Sequence, residues 1–394
     1  GTARSALEML LRLGSMLARR GLHAASARFA AAPALRLGRS RALSTAPVDD
    51  EMEDDIDVDG VAYGFMASQA LFAGLELGIF DAIAAAGGSV DLPSLQRSSG
   101  VTAPRLQTLL TALVASKALR RSRDGAYDLS PNAARFLVSS SRHFYGDYLK
   151  LQIGRQFYHR MGALTDVMKT GEAPSYASWF SDPEVAATYT RAQHNGSVAT
   201  AKALLKRMAG SVSLDGASKM LDVGGGSGAF SYVFTGKHPQ LSSQILELPE
   251  VCATGNTIRA EQPADVQQRV SFSELDATSP DWPVPDGEYD LVLMSYISGS
   301  VPEPVVGALY ANAYKALKPG GRLLVHDFMV DDSLDGPLGG AIWALQHVTV
   351  NADGLGLAPR EVVSRMLAAG FASGKAETHE MISGLTKLVI GHKN

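Results

Sequence analysis

Residues 221–228 read LDVGGGSG and carry the strongest structural signal in this chain. The apolar run that leads into them is typical of a buried strand, and helix signals begin near Ala229. Glycines in such a turn let the backbone approach a ligand closely, and the N-terminus of the following helix presents free N–H groups. The stretch therefore predicts a strand, a ligand-binding loop and a helix in succession.

Further strands alternate with helices on the C-terminal side of this unit. They are predicted at residues 244–246, 289–294 and 322–326, and a further strand ends near Asp276. This alternation is typical of a doubly wound α/β sheet, which we expect to occupy residues 211–394. Glu247, at one strand end, is placed to accept hydrogen bonds from both hydroxyls of a ribose, and Asp276 is placed to meet an adenine amino group.

The glycine run also fits the dinucleotide pattern Gly224-x-Gly226-x-x-Ala229. That pattern alone is weak evidence, because it needs the surrounding elements to support it. A nicotinamide enzyme therefore remains an alternative at this point.

The N-terminal 47 residues differ sharply in charge from the rest of the chain. They hold eight Arg and one acid, a net charge of +7. Because the whole chain has a net charge of −4, the remaining residues carry a net charge of −11. An Arg-rich, acid-poor start with an apolar helical face is typical of an organelle transit peptide. We expect mitochondrial import with cleavage near residue 43, and a plastid is the alternative. Residues 48–59 are predicted to be an acidic linker.

Composition excludes several classes of protein. No run of about 18 uninterrupted apolar residues exists, so we expect no membrane insertion. The single cysteine, Cys252, cannot form an internal disulfide or a cysteine-based zinc site, and no metal is expected. The net charge of −4 does not favour general nucleic-acid binding.

Residues 60–140 have the pattern of a winged helix. Helical apolar spacing is followed by two short strand signals around Asp124-Gly125. A DNA reader needs a densely basic second helix, but this one offers Gln107, Thr108 and Thr111. Dimerisation is therefore the favoured role, and residues 141–210 are predicted to form a helical bridge that contributes to a substrate pocket.

The order of the C-terminal motifs carries a family resemblance. The segments 221–228, 246–251 (LELPEV), Asp276 and 318–321 (KPGG) follow one another as in the S-adenosylmethionine (SAM)-dependent O-methyltransferases of the plant phenolic and acetylserotonin type, which the chain resembles from about residue 60 to 394. The resemblance implies a Rossmann-like class I methyltransferase sheet, an N-terminal winged-helix dimerisation domain and a homodimer. It implies that the cofactor contacts are Asp222, Gly224, Gly226, Gly228, Glu247, Leu248, Asp276 and Ala277.

One element of that family pattern is missing. The family's general base is a histidine after the fourth strand, and its position here is Gly299, with no histidine nearby in sequence. Of the two acids that orient the family's base, one matches Asp327 and the other position is Gly356. A phenol needs a base before it accepts a methyl group. The chain is therefore either a catalytically silent SAM-binding assembly protein, an O-methyltransferase with an unrecognised base, or an enzyme whose acceptor carries no proton at the reacting atom.

A thioether is such an acceptor, because its sulfur is methylated directly to a sulfonium. The segments 63–72, 295–303 and 325–332 resemble the methylthiohydroxybutyrate S-methyltransferases of dimethylsulfoniopropionate (DMSP) synthesis. This resemblance implies methyl transfer to 4-methylthio-2-hydroxybutyrate, a small molecule with a carboxylate and a hydroxyl. The side chains implied or adjacent at the substrate are Tyr148, Gln193, His194, Asn195, Trp343, Gln346, His347 and Asn351. His347 is the expected carboxylate or hydroxyl donor, with Arg155 as a second anion partner.

Overall fold

The computed structural model describes residues 56–209, 214–351, 357–382 and 385–394. The predicted transit peptide, residues 1–47, most of the acidic linker and Gly356 lie outside the described residues. Residues Phe65–Asn394 form one compact unit.

The first part of the described chain is helical with one short hairpin. Its elements are α1 Val58–Glu76, α2 Ile79–Ala85, α3 Leu92–Ser99, α4 Ala103–Ala115, β1 Leu119–Arg121, β2 Tyr127–Leu129 and α5 Pro131–Phe136. The Asp91 carboxylate caps α3 by accepting the Ser94 N–H at 2.9 Å, and β1 pairs with β2 in antiparallel fashion. Leu106, Leu110 and Leu113 of α4 are fully buried at helical spacing, which explains why this helix forms the centre of the small core.

A helical bridge connects this part to the sheet. It consists of a π-helix, Tyr148–Phe157, followed by α6 Tyr158–Met161, α7 Leu164–Thr170, α8 Tyr176–Phe180 and α9 Pro183–Met208. A π-helix is rare and is found frequently at functional sites. Tyr148, at its first turn, lines the cavity described below.

The C-terminal part is a seven-stranded sheet in the order β5-β4-β3-β6-β7-β9-β8. Its elements are β3 Lys219–Val223, α10 Ala229–Lys237, β4 Ser242–Glu247, α11 Pro249–Arg259, α12 Ala264–Arg269, β5 Val270–Glu274, β6 Tyr289–Ser295, α13 Glu303–Ala316, β7 Leu317–Phe328, α14 Leu338–Val348, α15 Pro359–Ala368, β8 Glu377–Ile382 and β9 Thr386–His392. Strands β3 to β7 pair in parallel, whereas β9 is antiparallel to both β7 and β8. The predicted α/β class is confirmed, and the sheet is mixed because of the β8–β9 hairpin, which the sequence analysis did not predict.

Alternate residues of each strand enter different cores, so both faces of the sheet are buried. Leu221 and Val223 of β3 pack in the cluster that contains α13, whereas Met220 packs in the cluster that contains α9 and α10. Strand order reverses at β3, because β4 lies on one side of it and β6 on the other. Connections that leave in opposite directions open a crevice at the carboxyl ends of the strands, and this crevice is the usual ligand site of such folds.

Among the described residues, no single helix has the length and hydrophobicity needed to cross a membrane, although the bent pair α1 and α2 reaches that limit when taken together.

Candidate active site

A cavity of about 670 Å³ opens at the carboxyl ends of β3, β4, β6 and β7. The glycine loop after β3, the loops after β5 and β6, and the ends of β4 and β7 form one side. The π-helix, α8, α9 and α14 close the other side. The cavity therefore lies where the strand order reverses, and it is the candidate active site.

The glycine loop holds its backbone close to the cavity. Gly224 has a φ of 65°, and its N–H donates to the Leu246 carbonyl at 2.8 Å, which fixes the loop against β4. Gly226 has a φ of 55°, and a Cβ there would meet nothing within 4 Å, so its backbone faces open space. Gly228, with a φ of 80°, caps the N-terminus of α10 and does not line the cavity. The loop thus presents bare backbone to a ligand, as the sequence predicted.

Asp222, near the end of β3, supports the glycine loop from inside the protein. Its carboxylate is almost completely buried and accepts the Ser231 hydroxyl at 2.6 Å, and Ser231 lies 2.8 Å from the Ser243 hydroxyl. Burial raises the pKa of Asp222 to about 6. A Cβ on Gly225 would lie 2.8 Å from the Asp222 carboxyl carbon, so the loop and this carboxylate fit together without spare room.

Glu247 connects the end of β4 to the glycine loop. One carboxylate oxygen accepts the Gly226 N–H at 2.8 Å, and the other accepts the Leu248 N–H at 2.8 Å. Burial raises the pKa of Glu247 to about 7. Each oxygen has a further lone pair, so the carboxylate can also accept from two adjacent hydroxyls in the cavity.

The loop after β5 forms the neighbouring wall. Asp276 and Ala277, predicted for the adenine, line the cavity, as does Leu248, predicted beside the ribose. The Asp276 carboxylate accepts the backbone N–H of Thr278 at 2.9 Å and its hydroxyl at 2.7 Å, which fixes the orientation of the acid. The Trp282 indole N–H donates to the Ala277 carbonyl at 3.1 Å and secures the loop behind it.

Aromatic rings from the loop after β6, the end of β7 and α14 line a further part of the cavity. The rings of Phe328 and Trp343 stack at a centroid distance of 4.2 Å, and Tyr296 lies 5.0 Å from Phe328. Tyr296 has a φ of 62°, which is strained for a bulky residue and which places its ring on the cavity wall. These three residues are called the aromatic wall below. The strain at Tyr296 has no signature in the sequence, so its position was not predicted.

The position of the missing base lies beside this wall. The Gly299 N–H donates to the buried Asp327 carboxylate at 3.2 Å. Asp327 therefore fixes the backbone of this loop and does not orient a histidine side chain at position 299. Burial raises the pKa of Asp327 to about 7. A Cβ on Gly299 would lie 2.9 Å from Nδ1 of His347, which also lines the cavity. No histidine is near Gly299 in sequence, but His347 approaches this position in space from α14.

Four of the predicted substrate residues line the cavity, namely Tyr148, Gln193, Trp343 and His347. Helix geometry explains why Trp343 and His347 line the cavity together, because residues four apart lie one above the other on the same face. On α14, Trp343 and His347 point inward, while buried Gln346 lies outside the lining. On α9, Gln193 points inward and donates to the buried Gln152 at 2.8 Å.

The other predicted substrate residues lie outside the lining. The prediction that Arg155 is an anion partner at the substrate is corrected, because its exposed guanidinium pairs with Glu76 at 3.1 Å on the surface. His194 contacts the Ser227 hydroxyl at 2.9 Å and so supports the glycine loop from α9. Asn195 is exposed on the far side of α9, and Asn351 is buried beyond the end of α14.

The cavity is divided electrostatically. Its acids, Asp222, Glu247 and Asp276, belong to the glycine-loop side, and no Lys or Arg is found among the described lining residues. Tyr148 and Tyr189 supply hydroxyls, and burial raises the pKa of each far above its usual value, so they remain neutral donors. No group of three or more His, Cys, Asp or Glu side chains in the described ranges could hold a metal.

Bare glycine backbone after β3, with acids at the end of β4 and after β5 of this sheet, is the arrangement of a class I SAM-dependent methyltransferase. Residues 161–372 match the O-methyltransferase domain family, and residues 60–139 match the O-methyltransferase dimerisation domain. The chain belongs to this O-methyltransferase family, and SAM is its cofactor.

Known proteins of the family are similar over most of the chain. A 3-hydroxy-5-methyl-1-naphthoate 3-O-methyltransferase of Streptomyces sahachiroi is 30% identical over 72% of this chain and 80% of its own length. The N,N-dimethyltransferase OxyT of Streptomyces rimosus is 28% identical over 80% of this chain and 90% of its own length. The crystal structure of human N-acetylserotonin methyltransferase in complex with SAM has a TM-score of 0.76. Its sequence is 22% identical, and the match covers 87% of this chain and 99% of that one.

The first prediction concerns the close fit of the glycine loop. In Gly225→Ala, the new methyl group would lie 2.8 Å from both the Asp222 carboxyl carbon and Ile245 Cγ2. The loop must move, so we expect SAM affinity to fall at least about tenfold and stability to fall by about 1–3 kcal/mol. Calorimetric SAM binding and thermal unfolding measure the two effects. The control is Gly307→Ala on α13, where nothing lies within 4 Å, and unchanged SAM binding in Gly225→Ala would contradict the prediction.

The second prediction concerns the protonation of Glu247. Ribose hydroxyls donate to the ionised carboxylate, and burial raises the pKa of Glu247 to about 7 in the protein without ligand. SAM affinity should therefore fall as pH drops below about 7, by up to about tenfold per pH unit. Glu247→Gln cannot titrate and should bind more weakly, with a flatter pH profile. Glu274→Gln is the matched control, since Glu274 is the exposed register partner of Glu247 on β5. Identical profiles in wild type and Glu247→Gln would refute the assignment.

The third prediction tests whether positions 299 and 347 compete for one space. Gly299→His places a side chain against the His347 ring, so stability should fall by about 1–3 kcal/mol through overpacking. Adding His347→Ala to this variant should restore most of the loss. Thermal unfolding of the four proteins gives the coupling energy. Additive effects would mean that the two side chains do not meet.

Proposed function

We propose that this chain is an S-methyltransferase that moves the methyl group of SAM to the thioether sulfur of 4-methylthio-2-hydroxybutyrate. The product is 4-dimethylsulfonio-2-hydroxybutyrate, and the reaction is a step of DMSP synthesis. The observation that carries the proposal is Gly299, which leaves the loop after β6 without a base and leaves Asp327 bonded to backbone.

This acceptor needs no base, because its reacting atom carries no proton. SAM supplies an electrophilic methyl group when it is bound. The lone pair of the acceptor sulfur forms the new S–CH₃ bond as the bond to the donor sulfur breaks, and that electron pair remains on S-adenosylhomocysteine. One sulfonium replaces another, so charge is conserved and no proton is released. The protein then has to position the two sulfurs in line and exclude water.

The aromatic wall suits a positive charge that moves across the cavity. Aromatic faces attract cations without the desolvation penalty of a carboxylate. Tyr296, Phe328 and Trp343 bring such rings together in the cavity lining, whereas the acids of the described lining come from β3, the end of β4 and the loop after β5. The same arrangement favours a sulfonium over a neutral phenolic product.

The acceptor also carries a carboxylate, which requires hydrogen-bond donors. The described lining offers Tyr148, Tyr189 and Gln193 on the helical side of the cavity. The two tyrosine hydroxyls stay protonated because burial raises their pKa, so they can donate to an anion. Neutral donors of this kind bind a carboxylate more weakly than Arg does, which favours a small acceptor used at high concentration.

O-methylation of another small molecule is the second candidate. It is favoured by the names of the relatives, which include O-methyltransferases, and by the histidine found beside Gly299. A SAM-binding assembly protein without turnover is the third possibility, and it predicts SAM binding with no product from any acceptor.

The fourth prediction is the direct assay of the chain. Incubation with SAM and 4-methylthio-2-hydroxybutyrate should give a sulfonium one CH₂ unit heavier by mass spectrometry. A pH indicator should detect no proton release, whereas an O-methylated phenol releases one proton for each product formed. A panel of phenols is the parallel arm. Product from phenols alone would replace this proposal by O-methylation, and product from neither would favour the assembly protein.

We also propose that the chain acts as a homodimer inside an organelle. The match of residues 60–139 to a dimerisation domain supports the first statement. The Arg-rich composition of residues 1–47 supports mitochondrial import, with the plastid as the alternative. Size-exclusion chromatography with light scattering, and fluorescent fusions of residues 1–47, test the two statements separately.

A further inference from the structure

His347 occupies the space that a side chain at position 299 would need. An ideal Cβ on Gly299 lies 2.9 Å from Nδ1 and 3.0 Å from Cε1 of this imidazole. The two residues are far apart in sequence, one on the loop after β6 and the other at the end of α14. A ring at 347 and a side chain at 299 therefore exclude each other, and this chain has the ring.

The end of β7 holds both Gly299 and the helix of His347 in place. Asp327 accepts the Gly299 N–H at 3.2 Å, and the next residue, Phe328, stacks on Trp343 at 4.2 Å. Trp343 lies one helical turn before His347 and meets its ring edge-on at 6.4 Å. The imidazole is thus fixed at the end of the aromatic wall, on the acceptor side of the cavity.

The chemistry of His347 is that of a neutral hydrogen-bonding group. The residue is 5% exposed, and it lines the cavity. Burial lowers the pKa of His347 to about 4, so the ring is uncharged at neutral pH. A neutral imidazole offers one donor and one acceptor, which match a hydroxyl group. A base with so low a pKa is poorly suited to remove a proton from a phenol.

The surroundings of His347 do not suit an ammonium group. The acids of the described lining, Asp222, Glu247 and Asp276, belong to the other side of the cavity. Asp327 is fully buried and is not among the described lining residues, and its two oxygens hold the backbone N–H groups of Gly299 and Phe328. An ammonium brought to this place would lose its water without gaining an ionic partner, which is costly.

We propose that His347, admitted by the absence of a side chain at Gly299, reads the 2-substituent of the acceptor: it binds a 2-hydroxyl and disfavours a 2-ammonium. This inference rests on the proposed function, because it names the acceptor's hydroxyl. It makes the enzyme selective for a 2-hydroxy acid over the corresponding amino acid, although the thioether ends of the two acceptors are identical.

The fifth prediction compares three thioether acceptors: 4-methylthio-2-hydroxybutyrate, methionine and 4-methylthiobutyrate, which has no 2-substituent. Wild-type kcat/KM should be highest for the hydroxy acid and lowest for methionine. His347→Phe should lower kcat/KM for the hydroxy acid about tenfold and leave 4-methylthiobutyrate within about twofold, because only one hydrogen bond is lost. His347→Gln, which can donate and accept, should recover part of the loss.

Two further variants keep the test decisive. Gly299→Ala pushes a methyl group against the imidazole, so it should lower the same hydroxy-to-unsubstituted ratio without changing His347. His159→Phe, on the exposed surface of α6, is the control and should change nothing. Calorimetric binding of S-adenosylhomocysteine shows that each variant retains its folded cofactor site.

The outcomes separate the two proposals. Product from the hydroxy acid with an equal loss for both acceptors in His347→Phe would overturn the role of His347 and leave the S-methyltransferase intact. Wild-type turnover of methionine equal to that of the hydroxy acid would also overturn it. No product from any thioether, despite bound cofactor, would overturn the proposed function and this inference with it.

Discussion

The hydrogen bond from the Gly226 N–H to the Glu247 carboxylate is the contact on which the cofactor side of this protein depends. It joins the loop after β3 to the end of the neighbouring strand β4 at 2.8 Å. Asp327 plays the corresponding part at β7, where it accepts the Gly299 N–H and fixes the loop after β6. Parallel strands end at one edge of the sheet, so a carboxylate at a strand end can hold the neighbouring loop. The cavity keeps its shape because two such acids bond to backbone.

The two sides of the cavity then differ in kind. Glu247 and Asp276 give the glycine-loop side acidic groups, for which we propose an adenosine as the partner. The aromatic wall and neutral hydroxyls give the other side little charge of its own. A neutral, ring-lined compartment stabilises cationic sulfur better than it stabilises a phenolate. The absence of a side chain at Gly299 and the presence of rings beside it therefore point to the same type of acceptor.

The residues predicted from sequence to bind the cofactor lie together at the cavity, except Gly228, because they follow one another within short motifs; their contacts with SAM stay a prediction. Asp222, Glu247 and Asp276 each stand at or just beyond a strand end that hydrophobic runs reveal. The acceptor side was harder, since Arg155 pointed to the surface and His347 approached Gly299 from a distant helix. The φ of 62° at Tyr296 is set by tertiary packing and not by local residue type. The β8–β9 hairpin was not predicted, because it departs from the repeated strand–helix pattern of the preceding strands.

That hairpin has a consequence for how the protein is made. β9 lies between β7 and β8, although both of those strands precede it in the chain. A ribosome therefore releases every residue of the cavity wall before it releases the strand that completes the sheet. Until then one edge of β7 is unpaired, and Val325 and Leu323 lack their register partners on β9. Nascent chains at this stage are the ones most exposed to edge-to-edge aggregation, and hence the ones with the greatest need of chaperones.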